Sequence, residues 1–276
     1  MRVKVIKTRF WHPGEDYLNL ITDATQKYLR NGDFLVVSEK ALSVAKGRIV
    51  DEGEIKAGLL AKILVLVFMR FIWGRLLGGI CHFRFETRMR LKNYSLEEGA
   101  IHKQIAIRYA GFLQALKYGS EGGIDLSNVP HSYVCLPLAN PINDAESIHW
   151  KIQEKTGKKI TVLISDTDST FSYRNFHFTS RPKPITGIKT FGGAFSFIVG
   201  RALKLRQRAT PLAVIGSKMS LEEALNLVEV AHHARGYGAG RTVWDMKERF
   251  GVGFSDVTWK MLDQVDHYPI VLVRKT

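Results

Sequence analysis

The chain has 276 residues, of which 45% are hydrophobic and 24% charged, so it can bury a sizeable core and a mainly disordered chain is excluded. Its 40 Lys and Arg against 26 Asp and Glu give a formal net charge of +14, which predicts anionic partners without specifying which anion. Two isolated cysteines, Cys81 and Cys135, exclude a disulfide scaffold, and the opening residues lack a signal-peptide pattern, so we expect a cytoplasmic protein.

Short, nearly continuous apolar runs predict a sheet that is covered on both faces. The predicted strands are 3–5, 34–37, 105–109, 133–138, 160–164, 212–215 and 270–273. Helices are predicted at 15–29, 143–155 and 221–234, the last two with capping boxes that start at Asn143 and Ser220. The fold class is therefore α/β, with a mixed α+β sheet and helices on its faces.

The chain shows no repeat or long linker, so residues 1–276 are predicted to form a single unit. The alternative is a subdivision into a core, 1–190, and a C-terminal part, 191–276. Residues 57–81 are strongly apolar but are interrupted by Lys62, Arg70 and Arg75.

An α-helical wheel of residues 57–81 places Arg75 on a different side from Lys62 and Arg70, so the three cations do not form one polar face. This pattern favours a buried helix or a dimer interface. Attachment to a membrane surface through residues 57–92 is the alternative, because further cations follow at 84–92.

Three polar clusters are candidates for chemistry. The first, 165–170, directly follows the clearest strand, at the position where open α/β sheets bind ligands. Asp166, Thr167 and Asp168 offer the oxygen ligands that Mg²⁺ or Mn²⁺ prefers. A solvated turn is the alternative interpretation.

The second cluster, 121–128, contains two adjacent glycines, followed by Asp125 and Asn128. Its glycines permit close approach of the backbone to a ligand, although a plain turn explains the same residues. Together, two acidic loops would suit a site for a metal ion and a phosphate.

The third cluster, 235–242, alternates glycines at Gly236, Gly238 and Gly240 between two arginines. Backbone N–H groups of such a loop can bind phosphate, and a helix C-cap followed by a loop is an equal alternative. The adjacent His232 and His233 point in different directions on a helix, so they are not predicted to share a metal ion. No residue is assigned as the catalytic acid, base or nucleophile.

Taken in order, the clusters resemble the γ-glutamyl ligases of the deazaflavin coenzyme F-420. The resemblance is carried by the motif Asn31-Gly32-Asp33 with 35–50, by GGIDLSNV at 122–129, and by LPLANPINDAESIHWKIQEKTGKKITVLISDTDSTF at 136–171. The paired motifs GID-x-SN and SDT, about 40 residues apart, are its most specific part.

The resemblance implies a homodimeric amide ligase that uses GTP and Mg²⁺ or Mn²⁺ to join L-glutamate to a phosphorylated deazaflavin through an acyl phosphate. The residues that match the family's metal ligands are Asp125, Asp166 and Thr167. Those that match nucleotide contacts are Ser38, Glu39, Lys40, Asn128, Gly236, Gly238 and Gly240.

The chain also departs from the family pattern. An arginine expected near Thr170 is absent, and Arg174 is the nearby candidate to replace it. Asp168 is a possible additional site residue. The glycine loop lacks the family's metal-binding glutamate. A divergent homologue acting on another carboxylate is therefore an alternative. A non-enzymatic protein that binds nucleic acid or a membrane is a second, motivated by the cations at 84–92 and 201–208; nucleic acid is disfavoured, since no nucleic-acid motif is present.

Overall fold

The computed structural model describes residues 1–130, 132–253 and 256–275. In chain order the strands are β1 (Arg2–Thr8), β2 (Phe34–Ser38), β3 (Ile49–Asp51), β4 (Tyr133–Cys135), β5 (Thr161–Tyr173), β6 (Phe176–Thr179), β7 (Ile188–Thr190), β8 (Arg206–Ile215) and β9 (His267–Arg274). The predicted strands near residues 3, 34, 133, 160, 212 and 270 are confirmed.

The helices alternate with the strands, which confirms a mixed α/β fold. They are α1 (Tyr17–Thr25), α2 (Glu39–Ala45), α3 (Leu59–Ile63), a π-helix (Leu64–Leu77), α4 (Gly78–Ile80), α5 (Phe85–Lys92), α6 (Leu96–Ala110), α7 (Phe112–Ala115), α8 (Pro141–Thr156), α9 (Ala194–Ala202), α10 (Leu221–Arg235), α11 (Val243–Phe250) and α12 (Trp259–Leu262). A short 3₁₀ turn covers Glu52–Glu54.

The contacts group the chain into two compact units that are interleaved along the sequence. The first unit contains Met1–Val50, Leu126–Thr167 and Arg208–Thr276, and the second contains Asp51–Asp125 and Asp168–Gln207. Neither unit follows the division at residue 190 that the sequence suggested.

The first unit is built on a mixed sheet in which β1, β9, β2 and β5 are neighbours in that order. β9 runs antiparallel to both β1 and β2, whereas β2 and β5 are parallel from Phe34 opposite Thr161 to Ser38 opposite Ser165. Leu35, Val36 and Val37 are fully buried, as the continuous apolar run predicts. The parallel pair brings two strand ends, and the residues that follow them, to one edge of the sheet.

The helices of the first unit pack against this sheet. Ile21 of α1 and Ile148 of α8 join Leu35 and Val37 in one hydrophobic cluster, and α10 packs against β9. The predicted cap at Ser220 is confirmed, because its side chain accepts from the backbone N–H of Glu223. Helix α8 is instead capped by Asn140, three residues before the predicted cap at Asn143, because the Asn140 side chain accepts from the N–H of Asn143.

The second unit is largely helical, with a small sheet. The end of β5 pairs antiparallel with β6, which pairs parallel with β7. An aromatic cluster packs Trp73, Phe83 and Phe197 together. The predicted strand at 105–109 is wrong: these residues belong to α6, which carries Glu97 and Glu98 in its first turn and Arg108 in its last, the charge distribution that a helix dipole favours.

Candidate functional site

In the first unit, two predicted ligand-binding stretches lie side by side at the end of the parallel strands. Ser38 is the last residue of β2 and is the register partner of Ser165, so Glu39 and Asp166 each follow directly after this pair. Residues 165–170 are not the turn or loop that the sequence suggested, because β5 continues through them to Tyr173. Asp166 and Thr167 are therefore held on a strand.

Lys40 connects this edge to the second predicted cluster. Its Nζ donates to Oγ of Ser127 at 2.6 Å, so residues 38–40 and 127–128 adjoin each other. Glu39 is 3% exposed and accepts from the backbone N–H of Leu138 at 2.8 Å. That bond gives Glu39 a structural role in holding the chain segment before α8, and its predicted nucleotide contact stays a prediction.

Asn128 binds the glycine loop, which is the third predicted cluster. Its Oδ1 accepts from the N–H of Ala239 at 2.7 Å, and its Nδ2 donates to the carbonyl oxygens of Tyr237 at 3.2 Å and Gly240 at 3.0 Å. A Cβ on Gly238 would lie 2.6 Å from Asn128 Oδ1, which explains the glycine there. The second and third clusters are thus one structural feature in this protein.

Arg235 is a further residue of this site. The sequence pattern did not indicate it as a ligand contact. It ends α10, and Gly236, with φ of 72°, caps the helix, as the alternative interpretation of this loop expected. Burial lowers the pKa of Arg235 to about 10, and the nearby charge of Asp166 opposes that shift. One terminal nitrogen, Nη2, is buried with no hydrogen-bond partner among the described residues.

The neighbouring histidines carry no charge at neutral pH. Burial, and to a smaller extent the charge of Arg235, lowers the pKa of His232 and of His267 to about 4. Arg235 is therefore the positive group that acts on Asp166 from this side. A buried guanidinium beside a carboxylate is an arrangement that can bind a phosphate bridged to a metal ion.

The donor atoms of Asp166 and Thr167 are consistent with the predicted metal site, whereas the role of Asp125 stays a prediction. Asp166 and Thr167 supply adjacent carboxylate and hydroxyl oxygens, which suit a hard cation. Asp125 belongs to the second unit, and its part in metal binding stays a prediction. Over the described ranges no group of three His, Cys, Asp or Glu side chains is placed to hold a metal ion.

The two additional candidates lie in the second unit. Asp168 is 7% exposed, and its Oδ1 lies 3.4 Å from Nζ of buried Lys117, so this carboxylate already has a cationic partner. Arg174, with φ of 50°, occupies the turn between β5 and β6, where its guanidinium lies 5.6 Å from the Tyr173 ring centre. That Arg174 takes the role of the arginine expected near Thr170 stays a prediction.

A buried ionic network surrounds Glu121 in the second unit, and the sequence analysis missed it. Glu121 Oε1 accepts from Lys103 Nζ at 2.5 Å, and Oε2 lies 3.0 Å from Nε2 of His102. Burial would lower the pKa of His102, but Glu121 and Glu52 raise it to about 9. His102 and Lys103 are adjacent in α6 but lie 19 and 18 positions from Glu121, so local spacing in the sequence does not reveal the network.

Arg181 binds the paired glycines of the same loop. Its Nη1 donates to the carbonyl oxygen of Gly122 at 2.6 Å, and a Cβ on Gly123 would lie 2.6 Å from its Cζ. The glycines at 122–123 are thus explained by close approach of a buried arginine. The glycine pair, which the sequence suggested as a ligand loop, therefore accommodates a side chain of the protein itself.

The arrangement of strand ends, glycine loop and acidic residues agrees with a comparison of the sequence with known families. The F420-0:gamma-glutamyl ligase family matches residues 5–209, and the chain belongs to this family. Its members are ligases that form a carbon–nitrogen bond, so the chain is an enzyme of that class acting on small molecules.

Individual relatives agree with this assignment. The chain is 34% identical over 286 residues to an uncharacterized protein, MJ1361, of Methanocaldococcus jannaschii, covering 99% of this chain and 96% of the relative. It is 28% identical over 158 residues to a coenzyme F420:L-glutamate ligase of Archaeoglobus fulgidus, covering 56% and 55% of the two chains. Family membership indicates a glutamate ligase of coenzyme F420 biosynthesis.

Proposed function

We propose that the enzyme uses GTP and Mg²⁺ or Mn²⁺ to form a γ-glutamyl amide on a phosphorylated deazaflavin, coenzyme F420-0. The observation that carries the proposal is a series of contacts in the first unit, together with the electrostatic effect between Arg235 and Asp166. Ser38 pairs with Ser165, Lys40 bonds to Ser127, Asn128 binds the glycine loop, and Arg235 acts on Asp166. Four segments that are distant in sequence meet in this way around the pair Ser38 and Ser165, where β2 ends and β5 continues.

The proposed reaction has two balanced steps. A carboxylate oxygen of the deazaflavin substrate attacks the γ-phosphorus of GTP, and GDP leaves with the electrons of the broken P–O bond. The amine of L-glutamate then attacks the acyl phosphate, inorganic phosphate leaves, and the amine loses a proton as the amide forms. The first step turns a poor electrophile into one with a good leaving group.

Each residue of the site has a separate role in the proposed reaction. Asp166 and Thr167 would hold the metal ion, which when bound neutralises charge on the transferring phosphoryl group. Asp125 remains a metal ligand only by the family resemblance. Buried Nη2 of Arg235 would donate to a phosphate oxygen and so supply positive charge for which the chain has no arginine near Thr170. Lys40 and the loop of Gly236, Gly238 and Gly240 would bind the rest of the nucleotide.

A product assay tests the reaction itself. The full chain is incubated with coenzyme F420-0, L-glutamate, GTP and Mn²⁺, and the deazaflavin is analysed by mass spectrometry. We expect a product heavier by one glutamyl residue, with GDP and phosphate released only when both acceptor and glutamate are present. GTP hydrolysis without any glutamylated product would contradict this choice of acceptor and favour a divergent homologue acting on another carboxylate.

Two further parts of the proposal concern the state of the enzyme. The family resemblance implies a homodimer, which light scattering of the purified chain tests. The cytoplasmic location stays a prediction from the two reduced cysteines and the opening residues. The nucleic-acid alternative rests partly on Arg208 as a phosphate contact. Arg208 is instead buried and makes a two-point ion pair with Glu222 at 2.6 and 2.9 Å. Arg201, from the same basic run, donates to the carbonyl oxygen of Cys81.

A further inference from the structure

The continuous helix Leu59–Ile80 of the second unit has an unusual hydrogen-bond pattern that changes which side chains share a face. Residues 64–77 form a π-helix, in which hydrogen bonds join residues five apart, so side chains four or five apart lie on one side. The α-helical wheel used for the sequence prediction therefore misplaced Arg75.

With this spacing, six apolar side chains form one row, here called the outer stripe. Its members, at intervals of four or five residues, are all 42 to 75% exposed: Leu59, Ile63, Val67, Phe71, Leu76 and Ile80. Only 33% of the most apolar part of the helix is buried, so the prediction of a buried helix is wrong for this face. A soluble surface rarely exposes an apolar row of this length without a partner.

The adjacent row is basic. Lys62, Leu66, Arg70 and Arg75 follow each other at intervals of four, four and five residues, so the three cations lie in one row after all. Lys62 and Arg75 are exposed, and Arg70 donates to the carbonyl oxygen of Tyr94. Residues 55–85 contain no Asp or Glu at all.

The opposite row packs against the second unit. Ala61, Val65, Met69, Gly74 and Gly78 are buried, and a Cβ at Gly74 would lie 3.1 Å from the backbone nitrogen of Lys92 in α5. By length and composition, the helix could span a membrane. Because one of its faces is fixed to its own unit, however, it would lie flat on a bilayer and not cross it.

We propose that the outer stripe and its basic row dock the enzyme on an anionic lipid surface. Apolar side chains would enter the boundary between headgroups and acyl chains, while Lys62 and Arg75 would contact anionic headgroups. A second copy of the chain fits less well, because a two-fold interface would place both basic rows together, and residues 55–85 offer no carboxylate to neutralise them. This inference is independent of the ligase reaction.

The test is co-sedimentation of the full chain with vesicles of phosphatidylcholine, with and without phosphatidylglycerol. We expect the chain to sediment with the anionic vesicles, and the variant Val67→Ser, Phe71→Ser, Leu76→Ser to stay in the supernatant. The matched control is Ile142→Ser, Trp150→Ser, which removes exposed apolar groups from α8 of the first unit. It should sediment like the unchanged protein.

A second variant tests the charges separately. Lys62→Gln with Arg75→Gln should lower affinity for anionic vesicles by roughly tenfold or more, because each cation near such a surface contributes on the order of 1 kcal/mol. Circular dichroism would verify that every variant is folded. Unchanged protein that stays in the supernatant, or a stripe variant that still sediments, would overturn the proposal. Conversion of a dimer to a monomer by the stripe variant, without vesicle binding, would assign the stripe to a second copy instead.

Discussion

Asn128 shows at the scale of one residue how the candidate site is built. Its φ of 55° lies in the left-handed region, which Asn tolerates better than most residues, and this conformation accompanies three hydrogen bonds from its amide to the glycine loop. The sequence identified both partners but not their contact. Local spacing carries no information about a bond between residues more than 100 positions apart.

Replacement of Asn128 by Asp tests this anchor. A carboxylate can still accept from the N–H of Ala239, but it would face the carbonyl oxygens of Tyr237 and Gly240 without a hydrogen to donate. We expect a loss of about 1–3 kcal/mol in the free energy of unfolding and weaker GTP binding. Asn143→Asp, on the exposed first turn of α8, is the control and should change neither. Equal chemical-denaturation midpoints for both variants would contradict the anchoring role.

His102 gives the second unit a pH dependence. Its pKa in the folded protein is about 9, against 6.5 for the unperturbed side chain, so its ion pairs stabilise the fold fully below pH 6.5. That contribution is lost as the pH rises through 9. Each unit of the shift corresponds to about 1.4 kcal/mol.

The measurement is thermal unfolding of the protein and of His102→Gln between pH 6.5 and 9. We expect the stability advantage of the unchanged protein over the variant to shrink steadily across this range. Comparison of the two proteins cancels the contributions of titrating groups outside this ionic network. A difference that does not vary with pH would show that His102 is not held in its charged form by Glu121 and Glu52.

At the scale of elements, the sequence predicted where strands begin better than it predicted the secondary structure of the polar segments that follow them. The apolar run before Asp166 identified the start of β5 correctly, but not its continuation to Tyr173. The continuation depends on antiparallel pairing with β6, in which Thr170 lies opposite Thr179, and on buried polar partners such as Lys117. Such partners come from distant parts of the chain and leave no periodic signal.

The helix Leu59–Ile80 illustrates a second limit. Its helical nature is evident from composition, but the assignment of its faces requires the number of residues per turn. A π-helix changes that number. At Gly74 and Gly78 this helix also allows close approach by α5, where Lys92 and Arg88 lie against the glycines. The outer stripe therefore became visible only in the structure.

The close approach at Gly74 can be tested by a matched pair of alanine substitutions in the same helix. A Cβ at Gly74 would meet the Lys92 backbone at 3.1 and 3.3 Å, so we expect Gly74→Ala to destabilise the second unit by about 1–3 kcal/mol. Gly79 has no atom within 4 Å of its Cβ position, so Gly79→Ala should be neutral or stabilise by up to about 1 kcal/mol. Denaturant titrations in which both variants lose the same stability would contradict this packing.

For the whole molecule, the surplus charge of +14 has several separate explanations. Lys103, Lys117 and Arg208 are buried in ion pairs, so they do not contribute to an open basic surface. Arg235 lies beside Asp166, where a phosphate would be bound, and Lys62 and Arg75 flank the outer stripe. The sequence predicts an anionic partner, and our two proposals divide that prediction between a nucleotide and a lipid surface.

The central claim is that the edge formed by Ser38 and Asp166 binds a nucleotide together with a metal ion. The most direct measurement is calorimetric titration of GTP into the full chain, with and without Mn²⁺, for the unchanged protein and for Asp166→Asn. The control is Asp23→Asn, which affects only an exposed ion pair with Lys155. We predict Mn²⁺-dependent GTP binding that Asp166→Asn abolishes and Asp23→Asn preserves, with all three proteins folded. GTP binding that is absent, independent of Mn²⁺, or unchanged by Asp166→Asn would contradict the account.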